Sequence, residues 1–145
     1  MTTVSSATLM DQQTWTGKIF NGDWIAPTGG QYPVIEPATA TQLAVVGHAS
    51  LDDVQRAADQ AAEAQRAWAR VPFDERALVL RRAGSLWEQH AAEVQQWLIR
   101  ESGSTAPKAG FELHIAANEC YEAAALATQP YGRLLRSEEP RMHGI

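Results

Sequence analysis

Cys120 is the only cysteine in the chain, and His48, His90, His114 and His143 are its only histidines. A thiolate nucleophile needs exposure in a cleft and a depressed pKa, supplied by a neighbouring base or a helix N-terminus. Cys120 has the opposite setting. It falls mid-stripe among Leu113, Ala116, Ala117, Ala124 and Ala127, with Glu119 and Glu122 beside it, whose charge favours the neutral thiol. It is read as structural. The histidines form no HExxH pair, and one cysteine cannot build a thiolate zinc site. Glu36, Glu101, Glu112 and Glu119 are the carboxylates that could serve as a general base. Glu112 and Glu119 share a helix face but lie about 10 Å apart along it, too far to act on one proton. No GxSxG elbow, GxGxxG turn or GxxxxGK[ST] loop occurs. Gly29-Gly30 lies between strand-like segments and reads as a turn.

The elements that must position these residues are set by length and pattern. The chain has 145 residues, 45% of them hydrophobic and 20% charged, enough for one globular domain with a modest core. A net charge of -5 offers no concentrated basic surface for nucleic acid. Arg81-Arg82 is the only adjacent basic pair, and it reads as the polar side of a helix. The first sixteen residues contain no basic side chain and no apolar run, so neither a signal peptide nor a transit sequence is expected. No apolar run is long enough for a membrane span. With one cysteine and hence no internal disulfide, the expected setting is the cytoplasm.

Residues 1–16 read as a loosely held arm, with ordered structure beginning near Lys18. Asn21-Gly22 between Ile19-Phe20 and Trp24-Ile25 predicts a hairpin with a type I′ turn. A second turn at Pro27–Gly30 precedes a strand over Tyr32, Val34 and Ile35, stopped by Pro37. A strand over Leu43–Val46 follows. From Ser50 the period becomes helical. Val54, Ala57, Ala58, Ala61, Ala64 and Trp68 share one face, behind a Ser50 N-cap and the acidic first turn of Asp52 and Asp53. A second helix starts at about Asp74 and runs toward Glu101, with a slight break near His90 and Gly103 as its stop. A third runs from about Pro107 to Thr128. The fold class expected is therefore α+β: short antiparallel strands, then three helices packed through alanine-rich faces.

Six segments, in order, resemble the N-terminal part of the NAD(P)-dependent aldehyde dehydrogenase family. They are Lys18–Trp24, Val34–Thr39, Val45–Val54 with the alanines up to Trp68, Glu75–Ala77, Leu80–Ala83 and Arg100–Gly103. Glu101–Thr105, with Lys108-Ala109 and Phe111-Glu112, is similar to the benzaldehyde and vanillin dehydrogenase branch. The resemblance implies membership of the α/β aldehyde dehydrogenase fold, with residues 17–138 as the N-terminal part of its cofactor-binding domain and 139–145 as a truncated tail. Glu36 replaces a usual asparagine and Ala40 a usual glycine, which implies a less tightly bonded turn.

In that family a cysteine thiolate attacks the aldehyde, hydride passes to NAD or NADP, and a glutamate activates the hydrolytic water. The resemblance places all of those groups beyond residue 145, so no catalytic or cofactor-binding residue maps onto this chain. It implies tight binding of neither NAD nor NADP here, and no activity from the chain alone. Truncation by cloning, proteolysis or an incomplete gene is expected. A monovalent cation site through backbone oxygens corresponds to Val34, Ile35 and Glu101, whose plain alternative is ordinary strand and helix-end residues. The implied partners are an aldehyde substrate and further copies of the same chain, with no nucleic acid and no membrane. The competing reading is a small non-enzymatic helical scaffold or partner-binding module.

Overall fold

The computed structural model describes residues 11–130, 132, 135–136 and 143–144, with backbone alone at the last two pairs. Order begins earlier than Lys18. Asp11 caps a single helical turn, α1 (Gln12–Trp15), by accepting from the Gln13 N–H at 3.1 Å. Trp15 at its end is buried, and its ring meets Trp97 edge-on at 5.7 Å. An indole buries more apolar area than any other side chain in this segment, so it ties down residues whose polar composition had suggested a free arm. Residues 1–10 of that expected arm lie outside the described residues.

Strands β1 (Ile19–Phe20) and β2 (Trp24–Ile25) form the first hairpin, with Phe20 opposite Trp24. The loop is three residues long rather than two. Gly22 alone takes the left-handed conformation, at φ 77°, and Asn21 does not, so the turn is not type I′. Strands β3 (Gln31–Ile35) and β4 (Gln42–Gly47) pair antiparallel, with Val34 opposite Ala44 and a register shift before Ile35. Pro33 is tolerated because a two-stranded ladder consists only of edges. Gly29 permits a close backbone crossing, since a Cβ there would stand 2.5 Å from the His48 carbonyl oxygen.

The turn between β3 and β4 is tightly bonded, contrary to expectation. The Glu36 N–H donates to Thr41 O at 2.8 Å, and the Ala40 N–H to Glu36 O at 2.9 Å. The Thr39 hydroxyl donates to the Glu36 carboxylate at 2.6 Å. Glu36 thus supplies the acceptor that an asparagine would have offered. Ala40 nevertheless sits at φ 56°, the one described non-glycine residue in the left-handed region. That conformation costs an L-residue about 1–2 kcal/mol, and glycine would return roughly 0.5–1 kcal/mol of it as unfolded-chain entropy. Ala40→Gly is therefore expected to raise stability by up to about 1 kcal/mol. Urea unfolding checks this, and a lowered midpoint would show that the Ala40 methyl makes a contact worth more than the strain.

The helices are α2 (Leu51–Trp68), α3 (Phe73–Gln89), α4 (Ala91–Ser102) and α5 (Ala106–Leu126). The expected second helix is divided at His90, whose φ of -103° and ψ of 16° leave the helical region. Gly103, at φ 66°, ends α4. Packing centres on α5. Its Ala109, Leu113, Ala117 and Ala124 are buried at spacings of four, four and seven, which places them on one face, and α3 and α4 lie against it. The α3–α5 contact is close at Gly84, where a Cβ would stand 2.8 Å from the Tyr121 ring.

Helix α2 does not join this cluster. Its apolar stripe is real, but Asp53 is its only buried residue, while Val54 is 58% exposed and Leu51 88%. The hairpin tip at Asn21 and Gly22 reaches Ala57, Ala61 and Ala64, and Asn21 Nδ2 donates to Gln60 Oε1. The expectation of three mutually packed helices therefore holds for α3, α4 and α5 and fails for α2. Towards the C-terminal end, β5 (Leu135–Arg136) pairs antiparallel with β6 (His143–Gly144).

Candidate functional site

Two clusters contain some of the residues singled out above. The first is a cavity of about 270 Å³ between the strands and α4, lined by Trp15, Lys18, Trp24, Val34, Ala44, Val46, Trp97 and Glu101. Val34 and Glu101, distant in sequence, meet here. Ile35 is not among the lining residues, and its side chain is 45% exposed. Most of the wall is apolar. Glu101 is its one carboxylate, and Lys18 puts an ammonium on the same wall, donating to Thr14 O at 2.9 Å. Among the described residues no three His, Cys, Asp or Glu side chains gather as a metal-ligand group.

The second cluster is a groove of about 390 Å³ between α4, α5 and Trp87, with Lys108 and Glu112 among its lining residues. Glu112 is ion-paired with Lys108, one turn away. Glu119 is exposed. The two carboxylates do not converge on a common point, as their spacing predicted. Cys120 is half-buried on α5, one residue before Tyr121. Tyr121 donates to Glu88 at 2.8 Å, and that bond together with burial and the Glu88 charge pushes its phenol pKa up. No described histidine reaches Cys120. His48 Nδ1 lies 3.2 Å from Gly29 O, His114 bonds Asn118 at 2.9 Å, and His90 lies 3.7 Å from Glu93.

The strongest electrostatic node is structural. The Asp53 side chain accepts from Ser50 N at 2.9 Å, Thr28 N at 2.8 Å and Thr28 Oγ1 at 2.9 Å, and pairs with Arg56. The Ser50 and Thr28 backbone bonds hold its pKa well below the usual carboxylate range. Ser50 Oγ in turn accepts from Asp53 N, completing a capping box. Ser50 and Asp53 were legible as a helix start, but Thr28 was not, since it enters from a separate turn. A second clamp joins Glu36 to Arg100, with Nε to Oε1 at 2.9 Å. The Thr39 hydrogen bond, then Arg100, lower the Glu36 pKa. Arg100 lies sixty-four residues from Glu36, so no local signal foretold the pair.

The N-terminus of α2 is already filled by Ser50 and Asp53, α3 opens on Pro72, and Gly29-Gly30 is used in crossing β4. The described residues form three two-stranded ladders and a cluster of helices. Comparison with known proteins identifies this arrangement. The sequence pattern of the aldehyde dehydrogenase family matches residues 24–144.

The chain belongs to the aldehyde dehydrogenase family.

It is 59% identical over 133 residues to a vanillin dehydrogenase of Amycolatopsis sp., covering 92% of this chain and 27% of that protein. It is 36% identical over 130 residues to a benzaldehyde dehydrogenase [NAD(+)] of Pseudomonas putida, covering 90% of this chain and 27% of that one. The crystal structure of an NAD-dependent benzaldehyde dehydrogenase from Corynebacterium glutamicum superposes with a TM-score of 0.81 at 32% identity, over 92% of this chain and 29% of that chain. This family member thus spans about a quarter of the length of the curated relatives it matches. Its strands and helices match the N-terminal region of the aldehyde dehydrogenase fold, as its sequence segments implied.

Proposed function

We propose that this chain is the N-terminal scaffold portion of an enzyme that oxidises an aromatic aldehyde, such as benzaldehyde, to its carboxylic acid with NAD or NADP. The observation that carries this reading is the 59% identity to a vanillin dehydrogenase across nearly the whole chain. The scattered Cys, His and Glu side chains support the scaffold role, because no two of them stand as nucleophile and base. The purified chain is expected to give no reduced nicotinamide with benzaldehyde or vanillin, and the product of its whole gene to give it with both. Failure of a folded whole-gene product to oxidise either aldehyde would sink the proposal and favour a binding module.

Three further features belong to this reading. A monovalent cation held by backbone oxygens of Val34, Ile35 and Glu101 is supported by the meeting of Val34 and Glu101 at one cavity. Homo-oligomerisation is supported by exposed Phe20, Leu51, Val54 and Leu126, which a partner surface would cover. A cytoplasmic setting is supported by the lone cysteine, and no described helix is long and apolar enough to cross a membrane. In the proposed enzyme Cys120→Ala is expected to retain most of the aldehyde-oxidising rate. A fall of several orders of magnitude with folding intact would make Cys120 the nucleophile.

A further inference from the structure

The Asn21-Gly22 pair has a geometry that bears on chemistry of a different kind. Asparagine is thermolabile, and its side-chain carbonyl carbon is open to attack by the next residue's amide nitrogen when that nitrogen is unhindered. Gly22 supplies such a nitrogen. It has no Cβ, it is exposed, and no atom lies within 4 Å of where a Cβ would stand. No described residue accepts from its N–H. The only other asparagine, Asn118, is held differently. It lies inside α5 before Glu119, whose nitrogen is committed to the helix, and its side chain bonds His114 at 2.9 Å.

We propose that Asn21 is a site of spontaneous deamidation, and that the isoaspartyl form it yields releases the β1–β2 hairpin from α2. The Gly22 nitrogen, after losing its proton to hydroxide, bonds to Asn21 Cγ, and the Cγ–Nδ2 bond breaks as ammonia leaves. Water then opens the five-membered imide at either carbonyl, giving an aspartyl or an isoaspartyl linkage. One water is consumed and one ammonia released, and nothing is oxidised or reduced.

Both products remove the Nδ2 donor that meets Gln60 Oε1, the hydrogen bond by which the loop holds the helix. An aspartyl side chain still lets Gln60 turn its amide and donate instead. The isoaspartyl form inserts the side-chain Cβ into the main chain of a three-residue loop. A ladder of only two residue pairs, Ile19 with Ile25 and Phe20 with Trp24, cannot absorb that extra atom in register.

The test is incubation of the purified 145-residue chain at mildly acidic and mildly alkaline pH, natively and in urea, followed by peptide mass mapping and labelling with an isoaspartyl methyltransferase. The native peptide carrying Asn21 is expected to gain one mass unit, several-fold faster at the alkaline pH, with released ammonia matching it. It should accept methyl label, while the Asn118 peptide stays unchanged. Asn21→Gln should keep the native fold by circular dichroism and show neither change. Conversion of Asn21 in urea but not in the native chain would overturn the proposal, because the loop would then hold the Gly22 nitrogen away from Cγ. Equal conversion at Asn118 would overturn it as well.

Discussion

Asp53→Ala is expected to lower the melting midpoint on the order of 10 °C, the largest effect of any single truncation in the strand-to-helix region. The carboxylate collects the N–H groups of Ser50 and Thr28, the Thr28 hydroxyl and the Arg56 guanidinium. Alanine leaves those donors without their acceptor around a buried position and removes one side of the capping box. The same change should alter the acid limb of stability. Asp53 has a lowered pKa in the folded chain, so its contribution is complete above the ordinary aspartate value of 3.8 and declines as pH falls through the folded pKa. Below about pH 4 the variant should therefore lose stability less steeply than the parent. Glu36, also lowered, leaves some slope in both. Urea titrations at stepped pH read this directly, and parallel acid limbs would show that Asp53 is not ionically coupled to folding.

Gly84→Val is expected to cost about 2–3 kcal/mol, the range for forcing extra carbon into a packed site. Gly84 lies in α3, and the space its side chain would occupy is held by the Tyr121 ring of α5. Tyr121 cannot swing aside freely, because its hydroxyl is bonded to Glu88. Gly84→Ala should cost less, since a helical alanine gains about 1 kcal/mol over glycine in propensity. Coupling provides the check. With Tyr121→Ala in the background, the penalty of Gly84→Val should fall by more than half, whereas additive losses would place the strain elsewhere.

The helices were legible because their signals are local: the Ser50 cap, the glycine at 103, and the three- and four-residue spacing of apolar positions. The hairpins were legible from Asn21-Gly22 and from the β-branched run around Val45, although the length of the first loop was not. Asn-Gly serves a three-residue loop with one left-handed glycine as readily as a two-residue turn. What the pattern could not show was partnership. The stripe of α2 reads as a core face, yet burial depends on what other elements cover it, and the hairpin tip reaches only part of it. Trp15 was hidden for the converse reason: a polar segment with one indole looks unstructured until Trp97 is brought beside it. The meeting of Val34 and Glu101 rested on resemblance alone, and the Glu36–Arg100 clamp had no signal at either end.

The proposed function requires this chain to position an aldehyde-oxidising site while contributing none of its reacting groups. The most direct measurement is a chimaera in which residues 12–130 replace the matching segment of the Amycolatopsis vanillin dehydrogenase, assayed for kcat/KM with the aldehyde in that protein's name. An intact scaffold predicts a value within about tenfold of the parent, a transition-state difference of roughly 1.4 kcal/mol or less. A folded chimaera slowed by several orders of magnitude would contradict the claim, because residues in this segment would then carry chemistry that the chain does not supply.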